Sequence, residues 1–362
     1  MPVTTQKFTV WLWLKNGRVN CSDENISPSF MKVVVTGGTG FIGYSLVRKL
    51  LNQGHDVQVI ARAVTPPADK NLKGVVYHSC DLSVRQVPAA IISGADLVFH
   101  VAAKAGVAGA YSSYHSANYQ ATLNILESCL SNGIPRLVYT STPSVTFSGK
   151  SIRAGTESLP YVKDRVSFYA ITKAMAEQAV LEAHDPGKFQ TLALRPHLVW
   201  GAGDPHLLPR VIHRHKQGKL KIIGKGDNQV DLTHVDNVCH AHLCAMKALL
   251  EDKNAGGKAY FISQDEPVLL WPWLNRLFAE IGLPSLEKSI GFGKAHFAGL
   301  VLEKSWRLLR FKGDPPMTRF VACQLAHDHW YSSQAAKADL GYEPIANMEN
   351  CLEKSLPWLR KL

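Results

Sequence analysis

The chain has 362 residues, of which 46% are hydrophobic and 19% are charged. That length permits two domains or one large interwoven domain, and the apolar share excludes disorder as the dominant state. Apolar stretches such as Phe8 to Leu14 stop within seven residues, far short of the roughly 20 that a membrane-spanning helix requires. The 40 Lys and Arg outnumber the 29 Asp and Glu, and the resulting net charge of +11 raises the question of nucleic-acid binding.

Residues 1–30 precede the regular part of the sequence. They lack a basic start and a small-residue cleavage site, so they do not resemble a targeting signal. The regular pattern starts directly after Met31. We therefore expect either a loosely ordered N-terminal extension or an upstream start that the cell does not use.

The seven cysteines are an odd number, and none forms a Cys-x-x-Cys pair. This usage indicates a reducing compartment, and we expect a cytoplasmic location. Cys239 and Cys244 enclose two histidines, but zinc sites usually combine two separated ligand pairs. Buried positions on a helix are the simpler explanation, so no metal is predicted.

From Met31 onward, short β-branched runs alternate with helical stretches. The pattern predicts a helix after the first strand, further helices at 125–130 and 168–183, and strands at 32–35, 57–61, 74–78, 96–102, 137–142 and 191–194. Strand, helix and strand at this spacing indicate parallel pairing through right-handed crossovers. The sequence therefore predicts an α/β fold with a doubly wound parallel sheet, the Rossmann arrangement.

A glycine-rich turn follows the first predicted strand. It reads TGGTGFIG from Thr36 to Gly43 and opens the first helix. Glycines permit a tight turn and let the backbone approach a pyrophosphate at the helix N-terminus. An ordinary strand–helix turn is the alternative, but the position at the start of a βαβ unit favours a dinucleotide site. The residues assigned to it are Gly37, Gly40, Phe41, Ile42 and Gly43.

The end of the second strand discriminates between NAD and NADP. An acidic residue there would bind the ribose 2′-hydroxyl of NAD, whereas this strand is followed by Arg62 and contains no acid near its end. A guanidinium pairs with a 2′-phosphate that a carboxylate would repel. Unless Arg62 merely solvates the strand end, the cofactor is NADP(H).

Two further strand ends are assigned to the cofactor site, with ordinary strand-end chemistry as the alternative for each. Asp81 and Leu82 follow the third strand, where a carboxylate can accept a hydrogen bond from the adenine amine. Ala102, Ala103 and Lys104 follow the fourth strand, and small residues there let the cofactor lie across the sheet.

Tyr169 and Lys173 lie one helical turn apart on the same face of a predicted helix. Tyr169 is the one tyrosine of eleven that has a Lys four residues further on. A phenol with its usual pKa of about 10 transfers protons poorly at neutral pH, and a neighbouring Lys together with the positive nicotinamide is expected to lower that pKa. Thr142, at the end of the fifth strand, adds a hydroxyl that can hold the substrate oxygen. A surface Tyr–Lys pair is the alternative, but together with the glycine turn the pattern favours catalysis.

From Met31 to the C-terminus the sequence resembles an extended short-chain dehydrogenase/reductase. The resemblance is carried by TGGTGFIG (36–43), HVAAKAG (100–106), YTSTPSV (139–145), YAITK (169–173), LRPHLVWGAGD (194–204) and VDLTHVDNVCHAH (230–242). It implies that Tyr169 is the general acid/base and that Lys173 modulates it and binds the ribose. It also places Thr142, a serine in many relatives, at the Ser/Thr position, and Pro196 near the nicotinamide.

Within that family the likeness is to the 3β-hydroxysteroid dehydrogenase-like branch, and there to bacterial 2-alkyl-3-oxoalkanoate reductases of olefin biosynthesis. It is carried by AAKAG, YTSTPSV, WGAGDPHLLPR (200–210) and GKAYFIS (257–263). The resemblance implies NADPH-dependent reduction of the 3-keto group of a long-chain 2-alkyl-3-oxoalkanoate to the 2-alkyl-3-hydroxy acid. It leaves room for a homodimer and for a complex with other olefin-pathway enzymes.

These assignments divide the chain into three parts. They are the extension 1–30, an NADP-binding Rossmann domain at 31–195 and a smaller interwoven substrate-binding region at 196–362. Within the last part, residues 230–263 are expected to return to the Rossmann domain, because 258–263 has the pattern of a strand.

The implied substrate has a carboxylate and two alkyl chains. Lys104, His197 and Arg210 are candidates for binding the carboxylate, and the sequence does not rank them. The apolar stretch 292–311 is predicted to line a tunnel for the chains, with ordinary core or a surface-docking helix as alternatives. Cations flank it at Lys304, Arg307, Arg310 and Lys312, so peripheral contact with a lipid surface or a partner enzyme is compatible with the sequence.

Other functions compete with this interpretation. The nearest is oxidation of the 3β-hydroxyl of a sterol 4-carboxylate, and the second is non-catalytic dinucleotide sensing, which the intact Tyr–Lys pair disfavours. A sugar-nucleotide epimerase is disfavoured because 292–311 is too apolar for a nucleotide sugar. The basic run 210–225 contains no acid beside its six Lys and Arg but matches no nucleic-acid-binding module, so no nucleic-acid partner is predicted.

Overall fold

The computed structural model describes residues 30–63, 71–106, 109–163, 167–309, 311 and 313–362. The predicted N-terminal extension, apart from Phe30, lies outside the described residues. Arg310 and Lys312, two of the cations that the sequence places beside the 292–311 stretch, also lie outside them.

Strands and helices alternate through the first half of the chain. They are β1 (Lys32–Thr36), α1 (Phe41–Asn52), β2 (Asp56–Ala61), β3 (Val75–Ser79), α2 (Ala89–Ile92), β4 (Leu97–His100), α3 (Tyr111–Tyr114), α4 (Ala121–Ser131), β5 (Arg136–Thr140), β6 (Ile152–Gly155), α5 (Phe168–Glu182) and β7 (Gln190–Pro196). A π-helical segment, His115–Gln120, joins α3 to α4, and a 3-10 turn, Pro143–Thr146, follows β5.

The second half has shorter strands between its helices. They are β8 (Val199–Trp200), α6 (Leu207–Lys216), β9 (Ile222–Ile223), β10 (Gln229–Val230), β11 (Thr233–His234), α7 (Val235–Leu250), β12 (Ala259–Ile262), β13 (Val268–Leu269), α8 (Leu270–Glu280), β14 (Ser289–Ile290), α9 (Phe292–Leu309), α10 (Arg319–Ala326), β15 (His329–Tyr331), α11 (Gln334–Leu340) and α12 (Met348–Leu359).

Seven parallel strands form the central sheet in the order β12-β7-β5-β4-β1-β2-β3. The chain runs outward from β1 to β3, crosses back to β4 and continues to β12, so the predicted doubly wound sheet is confirmed. The strand predicted at 258–263 forms β12 and pairs with β7. Strands β4 and β5 end at His100 and Thr140, earlier than predicted; after β5 the chain bends into the 3-10 turn that Thr142 caps.

Alternate residues of the strands serve opposite faces of this sheet. Val33 and Val35 pack into the cluster that contains Leu46 of α1 and Cys239 of α7, whereas Val34 packs into the cluster that contains Ile125 of α4. This alternation follows from the two-residue period of a strand. Because both faces are covered, the strands are continuous apolar runs, and their carboxyl ends meet along one edge of the sheet.

A smaller four-stranded sheet joins distant parts of the chain in the order β13-β10-β15-β6. Val230 pairs with His329, and Tyr331 pairs with Gly155. The region after residue 196 is therefore built partly on a strand from the first half. Beyond this sheet lies a third cluster of buried apolar side chains, which includes Trp200, Trp271, Leu277 and Phe278.

Helix α9 presents two different faces. Its inner face packs on the start of α10, where a Cβ on Gly299 would lie 2.6 Å from the Thr318 carbonyl carbon. Its outer face exposes Phe297 and Leu308, with 66% and 81% of their surface accessible. Among the described residues, no helix has the length and apolar character needed to cross a membrane.

Candidate active site

The turn between β1 and α1 is packed so closely that it requires glycine. Gly37 has a φ of +69°, and a Cβ on it would lie 2.8 Å from the Cα of Ala102. A Cβ on Gly43 would lie 2.3 Å from the Gly37 carbonyl oxygen. Gly40 caps α1 without a side chain, and the first turn carries no acidic residue. The backbone N–H groups at this helix end therefore fit the pyrophosphate of a dinucleotide.

Hydrogen bonds tie the ends of β1 and β4 together beside this turn. The Thr36 hydroxyl lies 2.7 Å from His100 Nδ1 and accepts a hydrogen bond from the Ala102 N–H at 3.2 Å. Burial lowers the pKa of His100 to about 3, and the charge of Lys173 acts in the same direction. His100 is therefore neutral at physiological pH, and its Nε2 lies 3.1 Å from the Thr122 hydroxyl.

The ends of β2 and β3 bring opposite charges together. Arg62 is exposed, and Asp81 accepts hydrogen bonds from the Ser83 N–H at 3.0 Å and the Ser83 hydroxyl at 2.7 Å. These bonds, with the charges of Arg62 and Arg85, hold the pKa of Asp81 below its ordinary value. Leu82 is buried beside them. Two guanidinium groups thus lie near the carboxylate that the sequence assigns to adenine.

The three residues assigned to catalysis lie together where β5 meets α5. The Thr142 hydroxyl lies close enough to the Tyr169 phenol to act on its pKa. It accepts a hydrogen bond from the Ser144 N–H and donates one to the Ser144 hydroxyl, each at 3.3 Å. Lys173 is buried, and its Nζ donates to the Thr140 carbonyl oxygen at 2.6 Å. This arrangement places a phenol and a hydroxyl side by side, with the ammonium held behind them by the strand.

Burial changes the acid–base properties of this pair. It raises the pKa of Tyr169 above its ordinary value, while the interaction with the Thr142 hydroxyl acts in the opposite direction. It lowers the pKa of Lys173 to about 7, and the charge of Glu177 opposes that shift. The lowering of the Tyr169 pKa by Lys173, expected from the sequence, is therefore not observed. The physical reason is desolvation of the phenol, together with an ammonium that binds the Thr140 carbonyl and is only partly charged near pH 7.

Asn118 is part of this site and was not singled out by any sequence motif. It lies in the π-helical segment, where its Oδ1 accepts from the Lys104 N–H at 2.7 Å and its Nδ2 donates to Thr172 Oγ1 at 3.1 Å. It therefore joins the segment after β4 to α5. π-Helical turns are rare and occur frequently at functional sites, but the extra residue in the turn has no sequence signature of its own.

A buried ion pair supports the same helix. Arg195 of β7 donates to the Glu177 carboxylate from Nη2 at 2.5 Å and from Nε at 3.1 Å. The Tyr161 hydroxyl donates to the same carboxylate at 2.8 Å. A spacing of four residues from Tyr169 to Lys173 and again to Glu177 was a sequence signal for Glu177, whereas nothing in the sequence pattern indicated Arg195 as its partner.

The three carboxylate candidates are not equally able to bind an anion. His197 is buried, and its Nε2 lies 2.6 Å from His329 Nδ1. Burial, reinforced by His329, lowers the pKa of His197 well below its ordinary value, so His197 is neutral and the expectation of a cation there is wrong. Arg210 pairs with Asp314 at 2.9 Å.

Lys104 and Pro196 also have defined surroundings. The Lys104 ammonium donates to the Ser113 hydroxyl and lies 5.0 Å from the centre of the Tyr114 ring. Pro196 is buried in β7 opposite Ile262. Lys104 is therefore already engaged by a side chain, while its backbone N–H is held by the π-helical segment.

A cavity of about 310 Å³ opens beside the start of α5. Ser167 and Ala170, which lie on either side of Tyr169 in the chain, line it from the first half. The rest of its lining is mostly apolar and includes Phe147, Val162, Phe292 and Phe320. Of the predicted wall at 292–311, Phe292 and His296 reach the cavity, whereas Val301 and Leu308 face outward.

The Cys and His residues of α7 have structural contacts. Cys244 Sγ lies 3.5 Å from His240 Nε2. His242 Nε2 lies 2.8 Å from the hydroxyl of Thr140, the residue whose carbonyl holds Lys173. Within the described part of the chain, no group of three or more His, Cys, Asp or Glu residues could hold a metal ion.

The fold and the site define an extended short-chain dehydrogenase/reductase. The crystal structure of UDP-glucuronic acid 4-epimerase from Bacillus cereus in complex with NAD matches with a TM-score of 0.71, covering 91% of this chain and 99% of its own. A UDP-galactose 4-epimerase structure matches with a TM-score of 0.66. Both are 22% identical in sequence to this chain, so they show the fold alone.

The sequence profile of the 3-beta hydroxysteroid dehydrogenase/isomerase family matches residues 34–291. The 2-alkyl-3-oxoalkanoate reductase of Stenotrophomonas maltophilia is 44% identical over 90% of this chain and 98% of its own length. The 2-alkyl-3-oxoalkanoate reductase of Shewanella oneidensis is 40% identical over 88% of this chain and 84% of its own length. The human sterol-4-alpha-carboxylate 3-dehydrogenase, decarboxylating, is 34% identical over 100% of this chain and 97% of its own length. The chain belongs to the 3-beta hydroxysteroid dehydrogenase/isomerase family, and it is an oxidoreductase.

Proposed function

We propose that this protein reduces the 3-keto group of a long-chain 2-alkyl-3-oxoalkanoate to the 2-alkyl-3-hydroxy acid, with NADPH as cofactor. The observation that carries the proposal is the joint position of the Tyr169 phenol and the Thr142 hydroxyl beside a largely apolar cavity. Two relatives at 44% and 40% identity carry the name of this activity. Their alignments cover most of this chain.

The residues present fit a nicotinamide dinucleotide. Gly37, Gly40 and Gly43 would hold the pyrophosphate at the start of α1. Phe41 and Ile42, the first two residues of α1, would contact the cofactor beside them. Asp81 and Leu82 would contact the adenine, while Ala102, Ala103, Lys104 and Pro196 would lie along the nicotinamide half. The matching UDP-glucuronic acid 4-epimerase structure contains NAD. For this chain Arg62, with Arg85 close to the same carboxylate, supports NADP(H). The bound nicotinamide supplies the hydride.

The chain itself then has to deliver a proton and fix the ketone. Tyr169 donates its proton to the ketone oxygen, since its raised pKa keeps the phenol protonated at neutral pH. Thr142 hydrogen-bonds the same oxygen as negative charge develops on it. Lys173, anchored on Thr140, is positioned to bind the ribose and to restore the phenol proton. Asn118 keeps the turn of α5 that carries Tyr169 in place through Thr172.

Oxidation of the 3β-hydroxyl of a sterol 4-carboxylate is the second candidate. It is favoured by the human relative, which is 34% identical over the whole chain. The same residues would act in reverse, with Tyr169 accepting the hydroxyl proton. A non-catalytic dinucleotide sensor is the alternative from a different class.

An assay with the purified protein separates these functions. NADPH oxidation is followed with a synthetic 2-alkyl-3-oxo acid, and NADP⁺ reduction with a sterol 4-carboxylate, with the Tyr169→Phe protein as the blank. We expect turnover of the oxo acid and a rate at least tenfold lower with the sterol. Turnover of the sterol alone would replace the proposal by the second candidate. NADPH binding without turnover of either compound would indicate a sensor.

A further inference from the structure

Arg319 differs from every other residue that lines the cavity. Among the described lining residues it is the one Lys, Arg, Asp or Glu. It opens α10, directly after the N-cap Thr318, and its side chain is 33% exposed. A cation that faces a largely apolar cavity is a feature expected of a site for an amphipathic anion.

Glu303 of α9 orients the Arg319 guanidinium and binds only one of its three nitrogens. The Glu303 carboxylate accepts the Arg319 backbone N–H at 2.7 Å and the Nε–H at 2.9 Å. The first bond holds the backbone, and only the Nε–H bond involves the guanidinium, at its base. In the described part of the chain no residue bonds Nη1 or Nη2, so these two nitrogens can present parallel N–H groups to a second carboxylate.

We propose that Arg319 binds the carboxylate of the substrate through Nη1 and Nη2. The inference rests on the proposed function but covers both candidate substrates, because each carries its carboxylate on the carbon next to the reacting one. Such an anchor has to share one cavity with the reacting groups. Arg319 lines the same cavity as Ser167 and Ala170, which lie on either side of Tyr169 in the chain.

The other cations near the site are engaged or uncharged. Lys173 donates to the Thr140 carbonyl, Lys104 donates to the Ser113 hydroxyl, and Arg210 pairs with Asp314 at the surface. His197 is neutral because it is buried against His329. Among the described residues that line the cavity, Arg319 is therefore the one Lys or Arg available to the substrate.

The remaining lining suits the alkyl chains. Phe147 contacts Phe320 with ring centres 5.8 Å apart, and Phe292 contacts His327 at 4.7 Å. These rings give the cavity a mainly apolar lining. The volume of about 310 Å³ is at the small end of the range for ligand sites, so two long alkyl chains would have to extend beyond this cavity.

The test compares an acid with its uncharged ester. Arg319→Gln and Arg319→Lys proteins are assayed with NADPH against a synthetic 2-alkyl-3-oxo acid and its methyl ester, beside the wild type. We expect KM for the acid to rise about 10- to 100-fold in Arg319→Gln, with kcat changed much less and the ester kinetics unchanged. Arg319→Lys keeps the charge but loses the fork, so its KM for the acid should lie between the two.

Arg276→Gln is the matched control, because Arg276 of α8 is an exposed arginine that also pairs with a glutamate, Glu349 of α12, and does not line the cavity. Its kinetics should equal those of the wild type. Equal losses with acid and ester in Arg319→Gln, or no loss with either, would overturn the proposal. Retained ester turnover also shows that the variant is folded.

A binding measurement keeps this result separate from the proposed function. Calorimetry with NADP⁺ present measures the affinity for a 2-alkyl-3-hydroxy acid and for its methyl ester. If the wild type turned over no oxo acid, the proposed reduction would fail. A loss of acid affinity confined to the Arg319 variants would still establish the carboxylate site, and equal affinities in wild type and variants would reject it.

Discussion

The two walls of the candidate site differ in how their side chains are held. On the sheet side, Lys173, Asn118 and Glu177 are each fixed by buried hydrogen bonds. On the side of α9 and α10 the lining is mainly aromatic, and the Glu303–Arg319 pair is partly exposed. Groups that take part in a reaction need fixed positions, whereas an apolar lining mainly needs volume. Substitutions on the sheet side should therefore cost far more than matched substitutions on the other wall.

The largest difference should be in catalysis. Tyr169→Phe removes the proton donor without changing the shape of the site, so kcat should fall about 10²- to 10⁴-fold while NADPH binding is retained. Steady-state assays and NADPH titration by fluorescence measure both quantities. Phe292→Leu on the opposite wall is the matched variant and should change kcat less than tenfold. Equal losses would abolish the contrast between the walls, and near-normal turnover by Tyr169→Phe would remove Tyr169 from the mechanism.

The next difference should be in stability. Glu177→Gln leaves the buried Arg195 guanidinium without its counter-charge and should lower the free energy of unfolding by about 3 kcal/mol. Glu303→Gln breaks a partly exposed pair and should cost about 1 kcal/mol or less. Urea denaturation measures both. In the Glu177→Gln/Arg195→Met double variant the charge imbalance disappears, and stability should recover in part; no recovery would show that packing rather than charge causes the loss.

A smaller effect is expected at the far end of the sheet, where specificity depends on an exposed group. Arg62→Asp should shift the ratio of kcat/KM for NADPH over NADH towards NADH by about 10- to 100-fold, since a carboxylate repels a 2′-phosphate and accepts a hydrogen bond from a ribose hydroxyl. Arg276→Asp, on α8, serves as the charge-matched control and should leave the ratio unchanged. If the ratio were also unchanged in Arg62→Asp, another residue would have to bind the phosphate.

The smallest effect per residue should appear in the pH dependence of stability, and it should be similar in the two sheets. Burial lowers the pKa of His242, which packs on the central sheet, and of His329 in β15 of the four-stranded sheet from 6.5 to about 4. Below pH 6.5 the unfolded chain binds protons that the folded protein does not. Each imidazole should therefore reduce the free energy of unfolding by about 1 kcal/mol per pH unit between pH 6.5 and 4.

Urea denaturation at pH 7, 6 and 5 measures this slope. Substituting Gln for His242 or for His329 should reduce this slope by the contribution of about one proton taken up on unfolding. An identical slope in wild type and both variants would contradict the burial argument.

Much of the sheet side could be predicted from the sequence because its signals are local. The strand–turn–helix order at Gly37–Gly43 and the four-residue spacing of Tyr169 and Lys173 need no knowledge of distant contacts. The direction of the Tyr169 pKa shift and the neutrality of His197 could not be predicted, because both depend on burial by residues far along the chain. Arg319 was missed for the same reason: its place in the cavity is set by packing of α9 on α10, which no sequence period records.

The four-stranded sheet described above also constrains how the protein folds. Strand β6 pairs with β15, and the backbone N–H of Asp328 beside β15 binds the Ser151 hydroxyl 177 residues earlier in the chain. At roughly 5–20 residues per second on the ribosome, β6 waits on the order of 10–35 s for its partner. Contacts of such long range fold slowly and leave strand edges exposed meanwhile. Recombinant yield should therefore depend on temperature and on chaperones more than the stability of the finished protein would suggest.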